Sequence, residues 1–431
     1  MLLRNARVPR CLMKDGAAHA SDFALVDISI ANGLITSLRE AVGGRQSRSA
    51  DSEESIDLDN GIVFPSFVDC HTHLDKGHIW PRQPNPDGTF MGALESVGKD
   101  REAHWSAQDL ETRMEFSLRC AYAHGTTAIR THLDSIGKQI GISWPIFAEV
   151  RQRWADRITL QAVPLFGIDA ALDPAHMQAV VQAVKTHGSG LLGAVTYMIP
   201  DLDKALDTIF HAAIAHGLDL DFHVDERTDP AARSLERIAA AALRHRFTGK
   251  ILCGHCCSLA LQGETDEQRI IALVKQAGIA VVSLPLCNMY LQDRVPGRTP
   301  RWRGVTSLHE LQRAGVPVMV ASDNTRDPFY AYGDLDGLEV LREATRILHL
   351  DHPFGDWPKV ITTTPAQVMG LPEKGRIGEG LPADLVQFRA RTWTELLSRP
   401  QMDRVVLRGG KRIDQTLPDY RELDSLKGMR P

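Results

Sequence analysis

The sequence predicts an α/β protein built on a (β/α)8 barrel of the TIM type. From residue 64 onwards, short apolar strand candidates alternate with polar loops and stretches of helical periodicity. Eight such strand candidates can be counted, which is the number that this barrel requires. Polar residues able to bind a metal ion or transfer a proton follow several of them, at the end where a barrel places its catalytic residues.

Composition excludes several classes of protein. The 431 residues are 43% hydrophobic and 24% charged, as in ordinary globular proteins. The formal charge is -5 with scattered basic residues, so we expect neither nucleic acid nor membrane as a partner. The seven cysteines do not suggest a disulfide framework, and no apolar run is long enough for a membrane span or signal peptide. We therefore expect a cytoplasmic protein.

The segment before residue 64 is predicted to form short strands. Met1 to Val8 is extended, Phe23 to Ala31 alternates between apolar and polar residues, and Asn32-Gly33 makes a turn before Leu34-Ile35. The polar stretch from Gly43 to Glu54 is most simply a solvated loop.

The barrel prediction rests on eight apolar runs and their helical spacers. The strand candidates are Ile62 to Cys70, Thr126 to Arg130, Ile158 to Val163, Gly190 to Val195, Leu218 to Phe222, Lys250 to Cys253, Ile279 to Leu284 and Val316 to Ala321. Helical periodicity is clearest in Leu202 to His216, Pro230 to Arg244 and Glu267 to Ala277.

The first of these strands ends at two histidines. Successive side chains along a strand point to opposite faces, so His71 and His73 point the same way and could bind one divalent metal ion. Later strands end at His132 and Asp134, at His223-Val224-Asp225-Glu226, at His255 and at Asp323-Asn324. Three imidazoles and one carboxylate would leave a coordination position open for water, as a catalytic metal site needs.

Each candidate has a structural alternative. His223 could be a satisfied core histidine, Glu226 a surface acid and Asp323 a capping residue. Their positions after strands favour metal ligands for His223 and Asp323, a general acid/base for Glu226, and an active-site role for His255.

The roles of other residues near the predicted site are not decided by the sequence. His132 and Asp134 fit a supporting role beside the ligands as well as a purely structural one. Cys70, Cys256 and Cys257 are better explained as small buried thiols than as ligands. Trp80 and the basic loop from Arg294 to Arg303 could cover the mouth of the site or be solvated.

Together these residues resemble the amidohydrolase superfamily, and within it the cytosine deaminase-like branch. The similar strings are His71-Thr72-His73, Arg130 to Asp134, His223 to Glu226, Gly254-His255, Asn288 to Arg294, Arg303 to Thr306, Asp323 and Asp327 to Phe329. Gly375 to Gly380, followed by Ala383 to Val386, is similar to the family's return into a small β-sandwich. The resemblance implies a composite sandwich domain built from residues 1–63 and 371–431. The residues between them in the sequence, 64–370, would form the catalytic barrel.

The resemblance also implies the metal site. One divalent ion per chain, zinc or ferrous iron, would be held by His71, His73, His223 and Asp323. Dinuclear relatives often carry a carbamylated lysine at the end of strand four, whereas residues 193–197 contain no lysine. One metal ion is the consistent expectation.

The implied activity is hydrolytic removal of an exocyclic amine from a cytosine-like or related nitrogen heterocycle. Metal-activated hydroxide would attack the ring carbon, and Asp323 would take the proton of the water. Glu226 would protonate a ring nitrogen and help transfer a proton to the leaving amine. His255 would orient the nucleophile and the tetrahedral intermediate.

Four positions bear on the substrate. Leu165 replaces a glutamine that holds the amide edge of the pyrimidine in cytosine deaminases, Asn324 replaces an aspartate, and Phe329 replaces a tryptophan. These departures put cytosine in doubt. Lys76 is similar to a lysine of N-isopropylammelide amidohydrolases and could pair with a substrate oxyanion, or it could face solvent.

Three alternatives remain. The protein could be an N-isopropylammelide-type amidohydrolase, a ring-opening cyclic amidase, or a binding protein on the same scaffold without catalytic activity. A ring-opening cyclic amidase normally requires two metal ions. In each case the expected partner is a small heterocycle, and a homo-oligomer is expected from the family.

Overall fold

A computed structural model describes residues 1–15, 21–41 and 55–429. The stretch from Gly43 to Glu54, expected to be a loop, lies outside the described residues. In the part of the chain that is described, no helix combines the length and the apolar character that crossing a bilayer demands.

The structure has strands at every position where the sequence predicts one. The strands are β1 Leu2–Pro9, β2 Phe23–Ala31, β3 Leu34–Glu40, β4 Ser55–Asp57, β5 Val63–Pro65, β6 Phe67–Thr72, β7 Thr126–Asp134, β8 Thr159–Leu165, β9 Leu191–Leu192, β10 Val195–Thr196, β11 Asp219–Val224, β12 Ile251–His255, β13 Ile279–Ser283, β14 Val318–Val320, β15 Leu385–Gln387, β16 Val405–Arg408 and β17 Lys411–Arg412.

Helices fill most of the intervals between the later strands. The α-helices are α1 Phe90–His104, α2 Ala107–His124, α3 Ile140–Trp154, α4 Pro174–His187, α5 Leu202–His216, α6 Ser234–Arg244, α7 Glu264–Gln276, α8 Pro285–Leu291, α9 Leu308–Arg313, α10 Gly337–Leu348, α11 Thr363–Val368 and α12 Trp393–Ser398. The prediction for α5 is confirmed at both ends, while α6 starts four residues later than predicted, at Ser234.

The chain divides into two compact units. The first comprises residues 1–69, 121–128 and 336–417. It contains two four-stranded sheets, with strand orders β3-β2-β1-β4 and β17-β16-β15-β5. Buried aliphatic side chains from the strands, among them Ile28, Ile30, Leu385 and Leu407, form its core. Both chain ends therefore contribute strands to this unit.

The second unit comprises residues 70–120, 129–335 and 418–431. Its strands β10 to β14 pair in sequence order, and each pair is parallel. Strands β12 and β13 are buried at every position, which is typical of parallel strands covered on both faces. The preceding strands follow the order β6-β7-β8. The molecule thus has a mixed α/β fold with strand ends converging in the second unit.

Helix α1 begins at a capped residue. The Thr89 hydroxyl accepts a hydrogen bond from the Gly92 amide at 3.0 Å and satisfies one of the free N–H groups of the first turn. We expect Thr89→Ala to lower the free energy of unfolding by about 1 kcal/mol, measured by urea denaturation. Thr112→Ala, at a half-buried position on α2 that does not cap the helix, is the matched control and should change it by less than about 0.5 kcal/mol. Equal effects of the two substitutions would contradict the capping role.

Candidate active site

Three histidines converge where β6 and β11 end. His71 lies on β6, His73 follows it directly, and His223 lies on β11. The Nε2 atom of His223 is 3.1 Å from that of His71 and 3.2 Å from that of His73. Burial lowers the pKa of all three imidazoles well below the usual value, so they are neutral at pH 7. Neutral imidazole is the form that binds a metal ion.

The Asp323 carboxylate completes this cluster. Its Oδ1 lies 3.5 Å from Nε2 of His71 and 3.2 Å from Nε2 of His73. The backbone N–H of Asp323, just after β14, donates to the His71 carbonyl at 2.9 Å and fixes the carboxylate next to the imidazoles. Ligands held at about 2.1 Å in a tetrahedron around zinc are about 3.4 Å apart. The four distances between these donor atoms, 3.1–3.5 Å, are close to this spacing, as expected for side chains that could hold a divalent metal ion.

His132 lies against the same cluster. Its ring centroid is 4.1 Å from that of His71, and its Nε2 is 3.2 Å from Oδ1 of Asp221. The Arg130 guanidinium also donates to Asp221, at 2.8 Å. The buried Asp221 carboxylate thus fixes the orientation of His132 next to His71, and of the two roles expected for His132 the geometry favours the supporting one.

Glu226, His255 and Asn288 form a second group beside the cluster. The Asn288 amide donates to Oε1 of Glu226 at 3.0 Å and lies 3.0 Å from Nδ1 of His255. Because the amide nitrogen is a donor, Nδ1 accepts and the imidazole proton is on Nε2. Burial lowers the pKa of His255 to about 3, so this imidazole is neutral.

The Glu226 carboxyl is placed to hold a proton. Burial, followed by the nearby Asp323 carboxylate, raises the pKa of Glu226 well above its usual value. A carboxyl group that keeps its proton at neutral pH is suited to act as a general acid.

A buried ion-pair chain lies on another wall of the site. Lys76 Nζ is 2.9 Å from Oδ1 of Asp134, whose Oδ2 is 2.6 Å from the Arg101 guanidinium. The Asp75 carboxylate accepts from the Asp134 amide at 2.7 Å. Lys76 is only 4% exposed, so the solvent-facing alternative for this lysine is wrong. Its ammonium group lies 5.7 Å from the centre of the Phe329 ring.

These groups surround a cavity of about 570 Å³. One wall comes from α1, where Phe90, Leu94 and Val97 face the cavity, and Leu165 extends the apolar lining. The lining further includes Phe329, Asn324, His73, His223, Glu226, His255, Lys76, Asp134 and Arg101. All four residues predicted to contact substrate (Lys76, Leu165, Asn324 and Phe329) line the cavity.

Some residues expected near the site lie outside the cavity lining, and one buried cysteine near Asp323 was not predicted. Neither Trp80 nor the loop from Arg294 to Arg303 belongs to its lining. Cys70, Cys256 and Cys257 are buried, as is Cys287. No sequence pattern marks Cys287, but its sulfur lies within 4.8 Å of a carboxylate oxygen of Asp323.

Asn288, Asp221 and Arg101 were also missed as site residues. Asn288 stands in one of the strings that carry the family resemblance. Asp221 interrupts an apolar strand, a charged position that could have drawn attention. Nothing in the sequence points to Arg101.

Comparison with known proteins gives consistent matches. A model of the "Amidohydrolase family" matches residues 118–416. The pterin deaminase of Rhizobium rhizogenes (strain K84) is 58% identical over 428 residues, 99% of this chain and 97% of that protein. The N-isopropylammelide isopropyl amidohydrolase of Pseudomonas sp. (strain ADP) is 25% identical over 78% of this chain and 81% of that protein. The structure of 5-methylcytosine deaminase from Klebsiella pneumoniae liganded with phosphonocytosine superposes with a TM-score of 0.83 and 25% identity, over 96% of this chain and 98% of that one.

Proposed function

Because this chain belongs to the amidohydrolase family and is a hydrolytic enzyme acting on C–N bonds, we propose that it deaminates a pterin. The observation that carries the proposal is 58% identity to a pterin deaminase over 99% of the chain. Pterin has one exocyclic amine, on a ring carbon between two ring nitrogens. Hydrolysis there releases ammonia and leaves a carbonyl.

The cavity supports a two-ring substrate. Its volume of about 570 Å³ exceeds what a single pyrimidine ring fills, and Phe90, Leu94, Val97 and Leu165 offer apolar surface to a second ring. Leu165 cannot hydrogen-bond the amide edge of cytosine, so the cavity offers cytosine less than it offers a larger, flatter substrate.

We propose that His71, His73, His223 and Asp323 hold one divalent metal ion, zinc or ferrous iron. Such an ion makes water a nucleophile at neutral pH by lowering its pKa to about 7. At the end of strand four, where dinuclear relatives often carry a carbamylated lysine, Val195, Thr196 and Tyr197 line the cavity and residues 193–197 contain no lysine. This supports a site with a single metal ion.

The side chains of the protein carry out the proton transfers in this proposal. Protonated Glu226 gives its proton to the ring nitrogen next to the amine-bearing carbon, which makes that carbon more electrophilic. Asp323 accepts a proton from the attacking water as the new C–O bond forms. The His255 Nε2–H stabilises the oxygen added to the ring carbon. Glu226, now a carboxylate, takes the proton of the added hydroxyl group as the carbonyl forms and passes it to the amine. The exocyclic C–N bond breaks, ammonia leaves, and the proton held by Asp323 returns to Glu226 for the next turnover.

Lys76 is proposed to bind the ring carbonyl oxygen of the pterin. Its ammonium group is buried on the cavity wall and held by Asp134, which Arg101 in turn fixes. Although burial raises the pKa of Asp134, Lys76 and Arg101 bring it below the usual value, so the carboxylate stays charged and holds the lysine in place. Asp134 and Arg101 are positioning residues in this scheme.

We also infer that the strands close into an eight-stranded barrel. A parallel bridge between Thr72 and Asp323 links the end of β6 to the segment after β14, and one between Gly167 and Val195 links the segment after β8 to β10. The two sheets of the first unit are proposed to form the composite sandwich expected for residues 1–63 and 371–431, with β5 extending its first part to Pro65.

A substrate panel tests the proposed activity. Protein loaded with zinc, and separately with ferrous iron, would be assayed with pterin, isocytosine, cytosine and N-isopropylammelide for release of ammonia or isopropylamine. We expect ammonia from pterin with a kcat/KM about 10²-fold or more above that for cytosine. Isopropylamine release alone would support the N-isopropylammelide amidohydrolase activity that the 25% identical relative suggests. Turnover of cytosine in preference to pterin would contradict the proposal.

The role of Lys76 predicts a moderate loss. Lys76→Met should lower kcat/KM for pterin by about 10- to 150-fold, because a hydrogen bond to a charged group contributes about 1.5–3 kcal/mol. Lys138→Met, which removes an exposed lysine outside the cavity lining, is the matched control and should leave kcat/KM unchanged. Steady-state kinetics on both variants decides the matter, and an unchanged kcat/KM in Lys76→Met would remove Lys76 from the binding site.

A further inference from the structure

The second unit contains another cavity that shares no lining residue with the first. Its volume is about 470 Å³, and its lining includes His78, Trp80, Arg326 and Tyr420. Two backbone segments contribute to both cavities. Residues 76 and 324 line the catalytic cavity, whereas residues 78 and 326 line the second one.

These two segments are hydrogen-bonded to each other. The His78 amide donates to the Thr325 carbonyl at 3.0 Å, and the Trp80 amide donates to the Arg326 carbonyl at 2.9 Å. The side chains that line the second cavity are therefore held by the same backbone that positions Lys76 and Asn324.

His78 is a buried polar side chain whose hydrogen-bonding groups are not used. It is 1% exposed, and neither ring nitrogen makes a hydrogen bond within the described part of the chain. Burial, followed by the nearby Arg326, lowers the pKa of His78 to about 3, so the ring is neutral and has one N–H donor and one acceptor. Buried donors and acceptors without partners are rare because they lose their hydrogen bonds to water, so such groups usually have a ligand or a water.

Arg326 provides the positive charge of this cavity. Its guanidinium carbon lies 4.2 Å from the centre of the Tyr420 ring, and its Nε makes no hydrogen bond among the described residues. The other charged lining residues, Arg421 and Asp424, are exposed, and Arg421 already pairs with Asp419. A guanidinium stacked on an aromatic ring keeps its N–H edge for an oxyanion.

We propose that this second cavity binds a small oxyanion, the carboxylate or phosphate group of a small molecule. The Arg326 guanidinium pairs with the oxygen atoms and the His78 N–H donates to one of them. Tyr420 and Trp80 provide flat surface for the rest of the molecule. The site is independent of the deaminase chemistry, so its test does not require turnover.

Isothermal titration calorimetry of the metal-loaded protein with inorganic phosphate, and separately with benzoate, tests the proposal. We expect binding of at least one of them, weakened at least 10-fold by Arg326→Ala. His78→Asn should weaken it similarly, because asparagine tolerates the left-handed backbone of residue 78 (φ 64°) but is too short to replace the imidazole. Arg294→Ala removes another guanidinium stacked on a tyrosine, outside this cavity, and should leave binding unchanged.

The two anions distinguish a phosphate ligand from a carboxylate one. Either result supports the site if Arg326 and His78 are both required. Two results would overturn it: no binding of either anion to the native protein, or binding that is as strong in both variants as in the native protein. The second result would place the anion elsewhere, for example at the metal ion of the catalytic cavity. Circular dichroism of Arg326→Ala and His78→Asn shows that each variant is folded.

Discussion

Glu226→Gln is expected to lower kcat for ammonia release by about 10²- to 10⁴-fold, the contribution of a positioned general acid. Glutamine has the same shape as glutamate and can still bond to Asn288, which lies 3.0 Å from Oε1 in the native protein. It has no acidic proton to give to a ring nitrogen. The loss should therefore appear in kcat, while KM and metal content change little.

Steady-state kinetics with pterin, together with metal analysis of the purified variant, measures this effect. Glu102→Gln, an exposed position on α1, is the matched control and should keep native kcat. A Glu226→Gln protein that binds its metal and turns over at the native rate would show that another group gives the proton. A variant that loses its metal would instead mean that Glu226 supports the ligands.

The positions of the strands could be predicted because their chemistry is local. Eight apolar runs separated by helical periodicity already define where the nine strands from β6 to β14 lie, because β9 and the start of β10 share the run from Gly190 to Val195. Burial on both faces of a parallel strand leaves few polar positions. Helix ends were less accurate. The sequence from Pro230 to Ser234 has a helix-compatible pattern, but the helix starts only at Ser234.

The parts of the site that could be predicted are those at strand ends, and the rest depends on side-chain contacts over long sequence distances. His71, His73, His223 and Asp323 follow strands, so a barrel brings them together wherever its helices lie. Asn288 bonds to Glu226 across 62 residues, and Arg101 reaches Asp134 from helix α1. No local pattern marks such a contact.

Lys76 illustrates a different limit. The sequence left open whether this lysine faces solvent, because lysine is seldom buried. The structure buries it against Asp134, a residue whose own role was undecided. Each of the two residues explains the position of the other, which is why neither could be assigned alone.

Removal of the metal ion is expected to abolish turnover completely and to lower the melting temperature. The His223 imidazole and the Asp323 carboxylate each lie 3.1–3.5 Å from the imidazoles of His71 and His73. The folded chain therefore presents a formed site that the unfolded chain lacks. A ligand that binds only the folded state stabilises it by about 2.7 kcal/mol when its concentration is 100 times Kd. Dialysis against a chelator followed by differential scanning calorimetry and an ammonia assay measures both effects.

Adding back zinc or ferrous iron should restore turnover at one ion per chain, because the proposed site has one set of four ligands. His223→Gln should lose the metal, whereas His176→Gln, which changes a cavity-lining histidine outside the cluster, should keep it. Restoration only at two ions per chain would contradict the single-metal site and favour the ring-opening amidase alternative. Full activity in the chelated protein would mean that the four converging side chains serve the fold, and that water is activated by other groups in the cavity.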